Sequence, residues 1–478
     1  MSKHQKTTGQ QLSDKLTYEP LNGWKTIQTG EKDEMYRFCD HYKTFLNIGK
    51  TEREAILYTI ERAEENGFVS LEALMLTDKI LKPGDKVYTV NREKGIMFVV
   101  IGKQDMTQGI HLVGAHMDTP RIDLKQNPIY EDSGIALLKT HYYGGIKKYQ
   151  WTALPLALHG LVIKKDGTKI QVVIGEDDKD PVFCITDLLP HLAQNQMQKK
   201  MTEGVTGEGL NVLFGSIGYQ DEKVKEKVKL NILNLLHEKY GIIEQDFVSA
   251  ELQIVPAFKA RDVGFDASMV GGYGQDDRVC SYAAIEAVLA VEAPEKTAVC
   301  LLVDKEEVGS MGNTGMQSRF FENQLAEIYA RTIDKPYNDL MLRRILNASK
   351  CLSADVSAAL DPTYPDVHDK RNAPFINKGV VITKYTGARG KAGASDANAE
   401  FVGEIRALFE REKIVWQTGE LGKVDQGGGG TIAQFVANLN MEVVDCGVPL
   451  LSMHSPFEVA AKLDIYMTYK AYKSFYMA

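Results

Sequence analysis

The spacing of hydrophobic and polar residues changes along the chain and predicts where helices and strands lie. Between residues 31 and 67, apolar residues recur every three or four positions, as in two amphipathic helices. Short apolar runs at 88–90, 96–101 and 109–114 then predict strands. The last of these runs is bounded by glycine and is typical of a buried central strand.

From residue 271 onward, strand and helix patterns alternate. The predicted strands are 297–303, 379–385 and 441–446, and the predicted helices are 283–291, 397–412 and 431–440. Alternation of this kind predicts an α/β fold with helices on both faces of a sheet. In such folds a substrate binds outside the carboxyl ends of the strands, so functional residues are expected there.

Residues 121–261 interrupt this alternation. Alternating segments at 160–164 and 170–174, separated by an Asp-Gly turn signal, indicate mainly β structure. We interpret this part as an inserted domain, so that residues 1–120 and 262–478 form one discontinuous domain. The alternative is an elaborated loop region within a single large domain, although long loops without structure are uncommon.

Composition narrows the class of protein. The 478 residues are 44% hydrophobic and 25% charged, as in soluble globular proteins, and no apolar run is long enough to cross a bilayer. The formal net charge of −8 would repel a phosphate backbone, which disfavours nucleic acid as a partner. Six scattered cysteines and a polar N-terminus without a signal-peptide pattern favour a cytoplasmic protein. Residues 1–30 are either a loose tail or an arm that orders on a neighbouring subunit.

Residues suited to metal binding follow the predicted strands. His116 and Asp118 have His-x-Asp spacing, which lets a carboxylate hold the imidazole so that its other nitrogen faces a metal. Asp276 precedes the helix that begins near Val279, where a carboxylate either caps the helix or bridges two cations. Taken singly, a structural histidine and a helix cap are the more ordinary interpretations.

Two adjacent acids, Glu306 and Glu307, follow the strand predicted at 297–303. Adjacent side chains of an extended segment point in opposite directions, so one is able to coordinate a metal while the other faces the substrate as a general base. Two solvated surface acids are the alternative. The same geometry argues against a metal-free glycosidase that would place this pair across its substrate.

Asp355 and His454 each follow a short apolar segment, and they complete the set of candidate metal-binding residues. Together with the residues above they offer nitrogen and oxygen donors, which suit zinc or a similar divalent ion such as cobalt or manganese. A shared aspartate would give each of two metals a similar set of ligands, which is the usual arrangement for hydrolysis assisted by two metals. The sequence therefore predicts a hydrolase with two divalent cations.

Four sequence blocks lie in order along nearly the whole chain. They are Gly114-Ala-His116-Met-Asp118-Thr-Pro, Asp304-Lys-Glu306-Glu307-Val-Gly-Ser, Ser353-Ala-Asp355 and Pro449-Leu-Leu-Ser-Met-His454-Ser. These blocks resemble those of the M18 family of metallo-aminopeptidases. The resemblance implies a zinc-peptidase-like catalytic domain with a mixed sheet, and release of the N-terminal amino acid from peptides.

The resemblance also implies a role for each matching residue. The implied metal ligands are His116 and Asp355 for one ion, Glu307 and His454 for the other, and Asp276 as the bridge between them. Glu306 would be the general base, and Asp118 would orient His116. A free substrate amine must be recognised, so peptides with a blocked N-terminus are expected to be poor substrates.

The expected substrate pocket departs from the family pattern. Where the aspartyl aminopeptidases of the family carry an Asn-Gln-Arg-Tyr type segment, this chain has a glycine-rich loop with Arg389 and Lys391. Each of these would either pair with an acidic substrate side chain or simply be solvated, so a preference for acidic residues stays open. His191 lies near the position of a family histidine that reaches the neighbouring active site, with a structural role as the alternative. The Gly427–Gly430 run lacks the Lys-Ser or Lys-Thr of a phosphate loop and is expected to line the cleft.

Assembly and two competing functions complete the expectations. In the family the inserted segment forms a dimerisation domain, which implies homodimers that assemble into a tetrahedral dodecamer. A related dinuclear deacylase or carboxypeptidase would need a positively charged pocket for the substrate carboxylate. An inactive shell-forming protein of the same fold would have lost a metal ligand or the base, and this sequence has lost neither.

Overall fold

The computed structural model describes residues 6–478 and contains three β-sheets with helices packed around them. Its α-helices are α1 (Thr8–Leu16), α2 (Thr29–Ile48), α3 (Glu52–Glu65), α4 (Leu71–Met75), α5 (Gln194–Met197), α6 (Met201–Gly204), α7 (Lys227–Tyr240), α8 (Gln275–Leu289), α9 (Phe320–Ala330), α10 (Asp339–Asn347), α11 (Ala399–Arg411), α12 (Ala433–Ala437) and α13 (Lys462–Met477). Its strands are β1 (Val69–Ser70), β2 (Lys86–Asn91), β3 (Gly95–Val100), β4 (His111–His116), β5 (Arg121–Asp132), β6 (Ile135–Tyr143), β7 (Leu156–Ile163), β8 (Lys169–Ile174), β9 (Val212–Gly215), β10 (Ala250–Pro256), β11 (Arg261–Val263), β12 (Met269–Gly272), β13 (Ala298–Val303), β14 (Lys350–Ser353), β15 (Ser357–Ala358), β16 (Val380–Thr383), β17 (Trp416–Thr418), β18 (Glu442–Gly447), β19 (Pro449–Leu451) and β20 (Glu458–Ala461).

The largest sheet has nine strands in the order β1-β2-β3-β13-β4-β14-β18-β16-β17. Its four central strands, β13, β4, β14 and β18, are parallel to one another. The strands that flank them, β3 and β16, run antiparallel. The sheet is therefore mixed, as predicted, and its central strands all end at the same edge.

Helices cover both faces of this sheet because its central strands bury both faces. In β13, Cys300 and Leu302 belong to a hydrophobic cluster with α2, α8 and α13. The alternate residues Val299 and Leu301 belong to a second cluster with α9, α10 and α12. A strand buried on both sides has to be apolar throughout, which explains the sequence AVCLLV. The predicted α/β class with helices on both faces is confirmed.

A second sheet is built only from residues between Arg121 and Pro256. Its six strands are antiparallel, in the order β8-β7-β10-β5-β6-β9, and its apolar side chains form a further buried cluster with α7. Lys50, at the start of the turn between α2 and α3, connects the helices to this sheet. Its buried ammonium group donates to Glu176 and to the carbonyl oxygen of Pro256.

The small third sheet has the strand order β11-β12-β20-β19-β15, and its strand β19 begins two residues after the end of β18 in the nine-stranded sheet. Near it, the helix predicted at 431–440 shortens to α12. The Thr431 hydroxyl donates to the Asp445 side chain, and Asn440 has a left-handed backbone with φ of +69°. These two features, together with the preceding glycines, limit the helix to five residues.

The N-terminal segment is partly helical. α1 buries no side chain, whereas the Trp24 indole N–H donates to the Asn377 side chain at 2.9 Å. Residues 1–5 of the predicted tail or arm lie outside the described residues. No helix within residues 6–478 is both long and apolar enough to cross a membrane.

Candidate metal centre

The carboxyl ends of the parallel central strands carry most of the predicted site residues. β4 ends at His116, and Glu306 and Glu307 follow β13 by three and four residues, in a short 3-10 turn. β14 ends just before Asp355. Because these strands are neighbours in the sheet, the residues beyond their ends lie side by side.

Asp276 and His454 reach the same place from other elements. Asp276 lies in the first turn of α8, where its backbone is still non-helical. His454 follows β19 of the third sheet and has a φ of +64°. Glu458 holds both residues, because its carboxylate accepts the His454 backbone N–H at 2.7 Å and the Asp276 backbone N–H at 3.2 Å.

Asp276 lies between the two histidines. Its Oδ1 atom is 3.4 Å from His116 Nε2, and its Oδ2 atom is 3.0 Å from His454 Nε2. Burial alone would raise the pKa of Asp276, but the hydrogen bonds with the two imidazoles hold it below its ordinary value. Each carboxylate oxygen thus faces a different imidazole, which is the placement that a carboxylate shared by two cations requires.

Two groups of side chains have donor atoms close enough to hold a cation. One group is His116, Asp276 and Glu307, and the other is His116, Asp277 and Asp355; the donor atoms of each group lie within 4.8 Å of one another. The His454 imidazole extends the first group, 3.5 Å from Glu307. The structure therefore brings all five predicted ligands together. Asp277, which the sequence analysis did not select, is buried among them.

The chemistry of this donor set fits divalent cations. Burial raises the pKa of Glu306 to about 7. Burial and the neighbouring Asp276 charge raise the pKa of Glu307, and burial and the Asp277 charge raise that of Asp355. One buried oxygen of Glu307 and one of Asp277 have no hydrogen-bond partner among residues 6–478. Cations would stabilise these crowded carboxylates in their ionised form, which the protein alone does not do.

Asp118 contacts both His116 and the loop with the adjacent acids. His116 Nδ1 is 2.9 Å from the Asp118 carbonyl oxygen and 3.3 Å from its carboxylate. A carbonyl oxygen only accepts, so Nδ1 carries the proton and Nε2 is free to bind a metal. The Asp118 carboxylate also accepts the backbone N–H groups of Glu306 and Glu307 at 3.1 and 3.2 Å. These contacts are what orienting His116 requires, and they orient the acidic pair as well.

Tyr143, the last residue of β6, and the two glycines that follow it reach the site from the second sheet. The sequence analysis missed all three. The Tyr143 hydroxyl donates to the Asp118 carboxylate at 2.7 Å, and the Gly145 carbonyl accepts from His454 Nδ1 at 2.8 Å. A Cβ atom on Gly144 would lie 3.3 Å from the Glu307 side chain. The Gly-Gly pair signals a turn, but nothing in its sequence indicates a contact with residues so far along the chain.

A cavity of about 520 Å³ opens beside these residues. Its lining includes Gly428–Gly430 of the glycine run that was expected at the cleft. The three predicted substrate-binding residues do not line it. Arg389 and Lys391 are exposed and line a separate pocket next to it, and His191 is exposed elsewhere on the surface.

Similar proteins are known over almost the whole length of the chain. Residues 45–476 match the family model described as Aminopeptidase I zinc metalloprotease (M18). A probable M18 family aminopeptidase 1 of Clostridium acetobutylicum is 53% identical over 464 residues, which cover 97% of this chain and 99% of that relative. The crystal structure of an M18-family aminopeptidase from Thermotoga maritima has a TM-score of 0.91 at 45% identity, covering 96% of this chain and 99% of that one. The mApe1 dodecamer of S. cerevisiae has the same fold, with a TM-score of 0.75 at 20% identity and coverage of 93% and 97%.

Proposed function

The chain belongs to the M18 family of zinc metallopeptidases and is a metallo-aminopeptidase, and from this premise we propose that it uses two divalent cations and Glu306 as general base. The observation that carries the proposal is the position of Asp276. Its two carboxylate oxygens face His116 and His454 separately, so one side chain joins two ligand sets.

The proposed ligand sets combine these contacts with the assignments that the sequence resemblance implies. His116 and Asp355 serve one cation, Glu307 and His454 serve the other, and Asp276 serves both. Zinc is the metal of the family, and cobalt or manganese would suit the same donors. When bound, the two cations would lower the pKa of a water molecule towards about 7 and polarise the carbonyl of the bond to be cleaved.

Glu306 is proposed to move protons rather than to bind metal. Its carboxylate lines the cavity, with Oε2 3.8 Å from His116 Nε2, and its backbone N–H is fixed by Asp118. A carboxylate in this position is able to take a proton from the attacking water and to return it to the leaving amine. Asp118 and Tyr143 hold the loop that carries this carboxylate and thereby keep it aimed at the cavity.

Two other functions are less well supported. A dinuclear deacylase or carboxypeptidase needs a basic group to bind the substrate carboxylate, and no lysine or arginine of residues 6–478 lines the cavity. An inactive shell protein would not require five ligand side chains and a base in mutual contact. Both observations favour the aminopeptidase function over its alternatives.

Peptides with free and acetylated N-termini test this function directly. We expect the purified protein to release the first residue of free peptides only, because the acetyl group removes the amine that the site must recognise. Chelation should abolish the activity, and addition of zinc, cobalt or manganese should restore it. Free amino acids are measured by chromatography for matched pairs of peptides. Cleavage of the acetylated peptides, or activity that survives metal removal, contradicts the proposal.

We further propose that residues 121–261 form the dimerisation domain of a cytoplasmic homo-oligomer, assembled as a tetrahedral dodecamer. This segment has its own sheet and exposes a group of large apolar side chains: Leu188, Leu189, Leu192, Met197 and Met201. Such a group is more often an interaction surface than a solvated one. The six cysteines are all free thiols, which suits the cytoplasm.

The oligomer is tested by its mass in solution. Analytical ultracentrifugation should give a particle twelve times the 53.2 kDa mass of one chain. The double variant Leu189→Glu, Leu192→Glu should yield smaller species, because two charges in an apolar contact cannot be paired. The matched variant Leu57→Glu, also at an exposed leucine, should leave the mass unchanged. A wild-type mass of a single chain contradicts the proposal.

A further inference from the structure

The position of the Glu306 carboxylate depends on the backbone of its loop. Its Oε2 atom lies 3.8 Å from His116 Nε2, which is beyond hydrogen-bond distance, whereas its backbone N–H donates to Asp118 Oδ1 at 3.1 Å. Asp118 Oδ2 accepts the Glu307 backbone N–H at 3.2 Å and the Tyr143 hydroxyl at 2.7 Å. A rotation of the Asp118 carboxylate would therefore change both contacts with the loop, and the Tyr143 hydroxyl opposes that rotation.

His116 is held by a different atom of Asp118. Its Nδ1 atom lies 2.9 Å from the Asp118 carbonyl oxygen, which belongs to the main chain and stays in place when the carboxylate rotates. The distance from Nδ1 to the carboxylate is longer, at 3.3 Å. We therefore expect a rotated Asp118 carboxylate to displace the loop of Glu306 more than it displaces the imidazole of His116.

Tyr143 packs in turn against Arg121. The two residues lie directly opposite each other on the neighbouring strands β6 and β5. The guanidinium carbon of Arg121 is 3.9 Å from the centre of the Tyr143 ring, which is the geometry of a cation–π contact. Arg121 is only 7% exposed, so it presents a fixed surface to one face of the ring.

Arg121 is anchored where the second sheet meets α3. Its Nε atom donates to Asp123 of β5 at 2.7 Å, and its guanidinium lies 3.4 Å from the Glu52 carboxylate at the start of α3. Gln253 of β10 donates to the same carboxylate at 3.1 Å. Burial alone would raise the pKa of Glu52, but the Arg121 charge holds it below its ordinary value. The partners of Arg121 thus include an ionised carboxylate from outside the second sheet.

From these contacts we propose that Arg121 is a positioning residue for the general base, acting through Tyr143 and Asp118 on the loop that carries Glu306. The proposal rests on the aminopeptidase function proposed above and extends it to a residue that does not line the cavity. Without the Arg121 contact the Tyr143 ring would turn, and its hydroxyl would no longer fix the Asp118 carboxylate. A misplacement of a reacting group by about 1 Å is enough to lower a rate by about a hundredfold.

Tyr143→Phe tests the first contact, because phenylalanine keeps the ring over Arg121 and removes only the hydroxyl. In the zinc-loaded full-length protein, we expect kcat for a leucine peptide to fall by about tenfold or more. KM and metal content should stay within about twofold of the original, since the hydroxyl contacts neither the substrate nor a proposed ligand. A loss of stability with kcat unchanged would show a merely structural role and overturn the proposal.

Tyr88→Phe is the matched control for the lost hydroxyl. Tyr88 is buried in β2, and its hydroxyl donates to the Glu64 carboxylate at 2.8 Å, almost the same bond as that of Tyr143. Neither Tyr88 nor Glu64 lines the cavity. Thermal unfolding should show a lower stability for this variant, whereas its kcat should equal that of the original protein.

Arg121→Lys tests the second contact, because lysine keeps the charge but loses the planar group that packs on the ring. We expect kcat to fall by about tenfold in the original protein, but by no more than about twofold when Tyr143→Phe is already present. Arg53→Lys is the matched control, since Arg53 lies in α3 and also pairs with two glutamates; it should leave kcat unchanged. If Arg121→Lys does not fold, Glu52→Gln weakens the same anchor and carries the same expectation.

The outcomes separate this proposal from the function on which it rests. Effects of Arg121→Lys and Tyr143→Phe that multiply in the double variant would show that Arg121 does not act through Tyr143. An unchanged kcat in either single variant overturns the positioning role and leaves the aminopeptidase function standing. A wild-type protein that releases no amino acid from any peptide contradicts the function itself, and this proposal with it.

Discussion

Replacing Glu306 by glutamine is expected to lower kcat by about a hundred- to ten-thousandfold, the usual contribution of a general base. Glutamine has nearly the same shape but cannot accept a proton from the attacking water. The backbone N–H of residue 306 would still donate to Asp118, so the loop should keep its position. The variant should therefore bind metal normally, and KM should change far less than kcat.

The neighbouring Glu307→Gln variant is the control for this prediction. Glu307 Oε1 is 3.5 Å from His454 Nε2, and we assign it to a cation, so its loss should lower metal content as well as activity. Metal per subunit is measured by mass spectrometry of the elements after dialysis, and kcat is measured with one leucine peptide. If Glu306→Gln retains most of its kcat, or if it loses metal as Glu307→Gln does, Glu306 is not the base.

The sequence predicts the centre of the fold well because of how its strands are buried. AVCLLV and the runs before His116 and Asp355 are apolar on both faces, and that pattern distinguishes parallel central strands from the half-exposed strands of most sheets. Once such strands are placed, their carboxyl ends converge by geometry alone. The proximity of residues at the strand ends therefore follows from the pattern, and the structure brings them together.

The residues that support the site from other elements were not predictable in the same way. Tyr143 and Gly145 come from the second sheet, and Glu458 starts the last strand of the third. Tyr143 and Gly145 each contact the site through one hydrogen bond, whereas Glu458 accepts from both His454 and Asp276, and all of these partners except His454 of Glu458 lie far away in the sequence. Periodicity describes how a segment is buried, but it does not tell which distant segment covers it, so such contacts need the packed structure.

The glycine-rich loop with Arg389 and Lys391 also shows what a sequence cannot predict. Arg389 and Lys391 are suitable in chemistry for an acidic substrate, and their loop stands where the aspartyl aminopeptidases of the family carry an Asn-Gln-Arg-Tyr type segment. The loop instead turns Lys391 onto Tyr385 and Asp396, a local arrangement that a positive φ at both basic residues permits. Backbone conformation of this kind is set by the individual turn, not by residue type, and so the sequence left both outcomes open.

The site lies where all three sheets meet. The nine-stranded sheet supplies His116 and the acidic pair, the third sheet supplies His454, and the second sheet supplies the carbonyl of Gly145. This carbonyl fixes the proton on His454 Nδ1 and leaves Nε2 free for a cation. The segment proposed for dimerisation thus also contacts the candidate metal centre, which couples the position of one proposed ligand to the packing of the second sheet.

Replacing Asp276 by alanine is expected to have the largest effect of any single substitution, because it removes a ligand from both proposed cations at once. Activity should fall by at least about a thousandfold, since metal-assisted hydrolysis loses several kcal/mol of stabilisation when the cations are lost. Metal content should fall from about two ions per subunit to less than one. Elemental analysis and leucine-peptide assays of the dialysed protein measure both quantities on the same sample.

Asp445→Asn is the matched control for Asp276→Ala, because Asp445 lines the same cavity but is not assigned to a cation. It should keep both ions and most of the activity towards leucine peptides. Circular dichroism of each variant separates loss of metal from loss of fold. If Asp276→Ala retains one tightly bound ion, Asp276 serves a single ligand set, and the two imidazoles that it separates do not belong to one dinuclear site. If it loses both, the two sets depend on one carboxylate, as we propose from the positions of its two oxygens.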